Sequence, residues 1–323
     1  LLVVFGFKAA LMPLSMWLPA TYAAASAPVA ALFAIMTKVG VYAIVRVHGV
    51  VFGADGGGAA SAAAAATALT VQSLLLPVAL VTSVVAVLGA LAARTLSRLV
   101  AWLTVASVGT VLTALGIDSP AAWSAGLYYM VQSTLVIAGM FLLVELIGAQ
   151  RAKAGLLEPC QPVAQPQLLG ILLLFGAATV AGLPPLPGFI GKLMILEASA
   201  AHAWAVPLWG VVLTAGFFAL IGLARAGSIV FWNANYDAAP AQAQAQAPVG
   251  AGASGQLLLA TLLPLALAVS LSGFAAPLKR FTDAAMLQLA DRGAYARAVL
   301  GDATGQPIDS TRPYRVIPGA APR

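Results

Sequence analysis

Apolar residues run through this chain in blocks of about twenty, with polar punctuation between the blocks and no period-two alternation of the kind a half-buried strand would give. At about 1.5 Å of rise per helical residue, a block of that length matches the roughly 30 Å hydrocarbon thickness of a bilayer. The pattern predicts eight helices, over about residues 1–18, 28–48, 72–92, 99–117, 121–148, 168–199, 206–231 and 256–276. Breakers separate them: LPATYAAASAP around Pro19 and Pro28, GADGGG at 53–58 and EPCQPVAQPQ at 158–167. A Gln/Ala/Pro-rich run at 238–255 reads as a flexible linker. The expected fold class is all-α, a polytopic transmembrane helical bundle of about eight spans.

Composition supports lipid as the solvent. Of 323 residues, 61% are hydrophobic and only 8% charged, and the mean hydropathy is +0.97. So few charges cannot cover a water-soluble body of this size, which excludes soluble enzyme folds. Cys160 is the lone cysteine, and His48 and His202 are the two histidines. A protein-built zinc, haem or iron–sulfur centre lacks ligands, so no cofactor and no metal are expected. The net charge of +6 reflects a shortage of acids; no dense basic stripe exists for nucleic acid. The loops after odd-numbered spans carry Arg94, Arg98, Arg151, Lys153 and Arg225, against Arg46 in the even loops and Lys279 and Arg280 opening the tail. The positive-inside rule then places the odd loops in the cytoplasm and the tail outside.

The costly charges carry the chemistry. Lys8, Lys38 and Lys192 stand inside apolar blocks, where a central lysine costs about 2.5–3.5 kcal/mol to insert. Two readings fit. Such lysines snorkel to the interface or lock helices in ion pairs, or they face a hydrated path as amines that gain and lose protons. Arginine would hold its charge at any working pH and pass nothing on. Around Lys192, the segment AGLPPLPGFIGKLMILEA crowds Gly182, Pro184, Pro185, Pro187 and Gly188 into mid-span, so the 168–199 helix must break near 182–192. Irregular backbone at that depth is tolerated only against protein or a water-lined cavity, and broken helices are typical of ion-coupling sites. Glu197 is either a relay partner of Lys192 or an interfacial acid. His48 closes the second span beyond Lys38 and is either a proton carrier or an interfacial histidine. Glu145 reads as interfacial, and His202 has no assigned role. Phe281, Ala285 and Leu289 recur at four-residue spacing in RFTDAAMLQLADRGAYARAVL, which marks a helix lying in the interface, against a partner subunit, or solvated.

The segments FGFKAALMPLSMWLPATYAAASAPVAALFAIMTKVGVYAIVRV, SRLVAWLTVASVGTVL, YYMVQSTLVIAGMFLLVELI and GLPPLPGFIGKLMILEA together resemble the antiporter-like subunits of complex I and of Mrp-type antiporters. Within that superfamily, AAASAPVAALFAIMTKVGVYA and FTDAAMLQLADRGAYARAVLG are most similar to the D-type subunit of Mrp/Pha monovalent cation/proton antiporters. The resemblance implies a 14-helix subunit of which this chain holds the seventh helix onward, in keeping with its start at Leu1 inside an apolar run. It also implies two inverted repeats, each with a broken helix bearing a central lysine. Lys8 and Lys192 match those positions, and Lys38 matches the connecting lysine on the eighth helix; the family's glutamate partner of Lys8 is not on this chain. Departures from the family pattern are Thr95 before Arg98, Gln132 where many relatives carry His, and Ser15 and Ala20 in SMWLPA.

The function so implied is that of a proton-translocating membrane subunit of a multi-subunit Na⁺(K⁺)/H⁺ antiporter, a transporter part rather than an enzyme. Its expected partners are the other subunits, the lipid bilayer, H⁺ and Na⁺ or K⁺, and its expected location is the cell inner membrane. The alternative is the antiporter-like proton-pumping subunit of an NADH:quinone oxidoreductase or membrane-bound hydrogenase. A third reading is a scaffold whose lysines only pair helices. Residues 1–278 form the expected translocation domain, and 279–323 an interfacial helix and polar tail.

Overall fold

The computed structural model describes residues 2–47, 59–151, 155–160, 163–232 and 255–291. His48, Lys153, the GADGGG segment, nearly all of the 238–255 linker and the tail beyond Asp291 lie outside the described residues. Apart from one antiparallel bridge between Thr95 and Leu156, the regular structure among the described residues is helical. In chain order the helices are α1 (Leu2–Ala9), α2 (Trp17–Ala24), α3 (Ala27–Ile44), α4 (Ala59–Leu91), α5 (Leu96–Gly116) and α6 (Pro120–Ala149). There follow α7 (Pro166–Ala181), α8 (Pro187–Ser199), α9 (Ala205–Gly227), α10 (Gly255–Ser270) and α11 (Ala275–Ala290). A π-helical turn over Ser228–Trp232 extends α9.

Among the described residues, five helical stretches are long and apolar enough to cross a membrane: Ala27–Val47, Leu74–Leu91, Leu96–Gly116, Pro120–Ala149 and Ala205–Trp232. They answer to five of the eight expected spans. Backbone helix in α4 begins at Ala59, ahead of the expected 72, because the preceding run AASAAAAATALT is built largely of alanine, the strongest helix former. The other three expected spans are made of shorter pieces. The break expected in 168–199 is present between α7 and α8. A single helix over 1–18 is not formed. α1 stops at Ala9, Ala10 is left-handed at φ 60°, and Pro13, with no N–H to give, precedes the restart at Trp17. The backbone freed there is satisfied from the side: Trp17 Nε1 donates to the Phe7 carbonyl at 3.0 Å, and the Met12 N–H donates to Thr82 Oγ1 of α4 at 3.0 Å.

α5 is the central post, with nearly its whole length buried. Thr95, one of the departures from the family pattern, caps its start by accepting the Arg98 N–H on Oγ1 at 3.2 Å, and Ser119 does the same for α6. The buried hydroxyls of Thr104, Ser107, Thr110 and Thr113 recur every three residues along α5, each returned to a carbonyl of its own helix at 2.7–3.0 Å. α6 lies beside α5 and touches α3, α7, α8, α10 and α11.

Arginines staple one end of the bundle. Arg225 on α9 donates to the carbonyls of Leu91, the last residue of α4, and of Ala93 just beyond it, at 2.8 and 3.0 Å. Arg151, which is 5% exposed, donates to the carbonyls of Leu156 and Glu158 at 2.9 and 2.8 Å. The loops after α4 and α6 meet here, with the Leu157 N–H on the Arg94 carbonyl at 2.9 Å, so these arginines share one end of the molecule and serve as carbonyl clamps.

At the C-terminal side the chain turns by 82° between α10 and α11. α11 packs on the start of α6 through buried Thr282 and Met286, and Ser124 Oγ lies 2.9 Å from Thr282 Oγ1 and donates to Asp283 Oδ1 at 2.5 Å. Of the four-residue row on this helix, Phe281 is 69% exposed and Ala285 and Leu289 are half-buried, so the row leans outward, as a face meant for the interface or a partner would. Polar bonds to Ser124 set the rotation of α11 and leave Phe274, Phe281 and Leu287 outside, as suits a helix lying along an apolar boundary. Burial acts to raise the Asp283 carboxyl, but hydrogen bonds from Lys279 and Ser124 and the Lys279 charge outweigh it and hold the group below the usual carboxylate range.

Candidate functional site

A helix ends with four carbonyls that have no partner within it. In α7 these belong to Ala178, Thr179, Val180 and Ala181. Gly182 adopts the left-handed conformation, at φ 84°, and turns the chain so that its own N–H and that of Leu183 bond the Ala178 carbonyl at 3.0 and 2.9 Å. Lys192, from the second turn of α8, reaches back across the break. Its Nζ donates to the carbonyls of Val180 at 3.1 Å and Ala181 at 2.7 Å. The amine therefore sits on the negative end of a helix dipole in mid-chain apolar surroundings. Two glycines make room for it. A Cβ at Gly182 would lie 2.9 Å from Lys192 Cδ, and one at Gly216 of α9 would lie 3.1 Å from Nζ. A cavity of about 260 Å³ opens beside it, walled mostly by Phe189, Leu193, Val212 and Phe217.

Lys38 of α3 is 5% exposed, and its Nζ donates to Ser107 Oγ of α5 at 2.6 Å. Ser107 spends its own proton on the Thr104 carbonyl at 2.7 Å, so its lone pairs are available to the amine. Lys8 is placed differently: its side chain is exposed at the end of α1. The two elements nevertheless meet, because Gly40 of α3 abuts the backbone of Lys8 and Ala9, with a Cβ there 2.8 Å from the Ala9 nitrogen. Lys8 and Lys38 thus belong to one crossing of α1 and α3.

Glu197 is not brought to Lys192. Five residues on a helix turn about 140°, so its exposed side chain faces a second cavity of about 440 Å³, shared with Lys279 and Asp283 of α11. Glu145 is exposed, as an interfacial residue would be, and His202 Nδ1 accepts the Trp204 N–H at 3.1 Å in the α8–α9 turn. His48 lies outside the described residues.

Two polar groups of the interior stand out only in the structure. Ser107 is hard to single out in the sequence, since serine in an apolar helix is common and its one signal is membership of the three-residue hydroxyl row on α5. Gln132, which the sequence marks only as a departure from histidine, is 1% exposed on α6, and its Oε1 has no hydrogen-bond partner among the described residues.

Residues 1–222 match the family described as NADH:quinone oxidoreductase/Mrp antiporter, TM. The chain is 35% identical over 259 residues to the D-type subunit of a probable K⁺/H⁺ antiporter of Rhizobium meliloti, covering 71% of this chain and 47% of that protein. It is 31% identical over 233 residues to the D-type subunit of a Na⁺/H⁺ antiporter of Bacillus subtilis, covering 72% and 45%. The chain thus spans about half the length of the curated relatives it matches. In fold it is similar to a chain of the Mrp complex from Dietzia sp., with a TM-score of 0.76 at 22% identity over 93% of this chain and 60% of that one. A chain of respiratory complex I from Thermus thermophilus is similar with a TM-score of 0.64 at 24% identity, over 88% and 57%. A family match across well over half of the residues, on a bundle whose broken helix is fastened by a lysine, makes this chain a member of the NADH:quinone oxidoreductase/Mrp antiporter transmembrane family.

Proposed function

We propose that this chain is the proton-translocating part of a multi-subunit monovalent cation/proton antiporter of the cell inner membrane, with protons relayed through Lys8, Lys38 and Lys192. Other subunits, and Na⁺ or K⁺ as the exchanged ion, belong to this reading; the names of its relatives favour an antiporter over a redox-driven pump.

The observation that carries it is the seat of Lys192 on the Val180 and Ala181 carbonyls. An ammonium has three N–H donors and a neutral amine has two plus a lone pair. Both carbonyl bonds can therefore be kept in either state, while the third position of the nitrogen loads or unloads a proton. The side chain need not leave its helix end, so the transfer requires little reorganisation. A lysine that only fastened the break would have no use for that exchangeable third position.

Lys38 is held on Ser107 by the same logic, a polar group that tolerates either protonation state. The test is exchange-driven proton movement in vesicles containing the assembled complex. Lys192→Ala and Lys192→Arg are both expected to abolish it, the arginine because it holds its proton. Normal assembly with unaltered exchange in either variant contradicts the relay.

A further inference from the structure

An ammonium has three N–H donors, and a charged donor left without an acceptor in apolar surroundings is costly. Lys192 gives two of its hydrogens to the carbonyls of Val180 and Ala181, and among the described residues the third has no acceptor.

The cavity of about 260 Å³ lies beside that amine, and Lys192 and Gly216 both line it. Because a Cβ at Gly216 would stand 3.1 Å from Nζ, the bare backbone of α9 is what leaves the amine open on this side. The other lining side chains, Phe189, Leu193, Val212, Leu213 and Phe217 among them, are apolar. An occupant must therefore be polar at one end and apolar along the rest of its length.

The mouth is on the outside of the bundle, where Leu193, Leu213 and Phe217 are 49%, 56% and 61% exposed. Leu213 and Phe217 stand near the midpoint of the spanning stretch Ala205–Trp232, so the cavity opens sideways at the level of acyl chains. A diacyl phospholipid does not suit it, since its phosphate stays in the headgroup layer, roughly 15 Å from the bilayer centre. A single-chain amphiphile can bring its head inward if a charge receives it. The charge that waits there is positive and has a free donor, which repels a cationic head and selects a carboxylate.

We propose that this cavity is a lateral binding site for a single-chain carboxylate amphiphile, a fatty-acid anion, with its head on Lys192 and its tail leaving between α8 and α9. Resting on the relay reading above, the bound head occupies the position through which Lys192 loads and unloads its proton and pairs with the charged amine. An occupied site therefore stops exchange, and free fatty acid in the bilayer regulates it.

The probe is dodecanoate with a photoreactive diazirine in its tail, applied to the assembled complex in vesicles, with its methyl ester for comparison. The acid is expected to label the segments of α8 and α9 that carry Leu193 and Phe217, and the ester, which keeps the tail but lacks the charge, to label them about tenfold less. Lys192→Met is expected to bring the acid down to the level of the ester, and Leu213→Trp, which fills the mouth, to remove labelling by both. Equal labelling by acid and ester, or labelling indifferent to both substitutions, is adhesion to an apolar face only and overturns the proposal. The second readout is uptake of radioactive sodium or of a potassium tracer, because fatty acids carry protons across any bilayer. Plain dodecanoate is expected to inhibit uptake by the unaltered complex at least tenfold more strongly than uptake by Leu213→Trp; equal inhibition of the two overturns the regulatory role. Carboxylate-dependent labelling at saturation with undiminished uptake upholds the site and removes the relay through Lys192.

Discussion

At the scale of single residues, the bundle tolerates charge by giving two buried cations, Lys38 and Arg151, and the partly buried Lys192 oxygen atoms from neutral groups. Lys38 has Ser107, Lys192 has two helix-end carbonyls, and Arg151 has the carbonyls of Leu156 and Glu158. Neutral acceptors matter for a proton carrier, since a carboxylate partner would bind the charged form too well. Ser107→Ala leaves the Lys38 amine buried without its acceptor. We expect a loss of about 1–3 kcal/mol of stability, read as a lower thermal midpoint in detergent, together with slower exchange. An unchanged midpoint would mean that the 2.6 Å contact contributes nothing. Gly182→Ala places a Cβ on a residue at φ 84° and within 2.9 Å of Lys192 Cδ, so it should both strain the cap by about 1–2 kcal/mol and unseat the amine. The lysines themselves are legible in the sequence because charge in an apolar block is conspicuous. Their acceptors are not, because a backbone carbonyl has no letter and Ser107 reads like any small polar residue in a helix. Glu197 shows the limit of spacing: proximity along the chain to Lys192 does not survive the turn of the helix.

Among the elements, long apolar periodicity is what the sequence conveys best. Five continuous spans and the α7–α8 break follow from block length and from the cluster Pro184, Pro185 and Pro187. The α1–α2 break is hidden in the span pattern because Pro13 stands alone, and its loose backbone groups are met by Trp17 and by Thr82, which is distant in sequence. The outward apolar row of α11 is legible in its spacing, but the anchor that sets its rotation, Ser124 on another helix, is not. Asp283 has a lowered carboxyl pKa, so its contribution to docking is present at neutral pH, above its unfolded pKa, and is lost as pH falls through its folded one. Asp283→Asn mimics the acid state. We expect it to loosen α11 and speed tryptic cleavage at Lys279 and Arg280; cleavage at the wild-type rate would show that the carboxylate does not hold the helix down. Arg151→Met removes two bonds from a buried guanidinium to the Leu156 and Glu158 carbonyls and should lower the thermal midpoint by the equivalent of about 2–3 kcal/mol without touching the lysines.

In the whole molecule, α5 and α6 form a shared axis between the α1–α3 crossing that carries Lys8 and Lys38 and the broken α7–α8 pair that carries Lys192. The axis is dense with hydroxyls on α5 and has an orphaned amide oxygen on α6, in a bundle whose outer faces are apolar. That contrast of an oily exterior with polar groups inside is what the relay reading proposed above requires. The most direct measurement is proton flux driven by a Na⁺ or K⁺ gradient across vesicles carrying the assembled complex, comparing Lys192→Arg with the unaltered protein at matched assembly. The account predicts that arginine, able to hold the carbonyls of α7 but unable to release its proton, preserves assembly and abolishes flux. Flux at the unaltered rate in that variant would reduce Lys192 to a fastening and contradict the account.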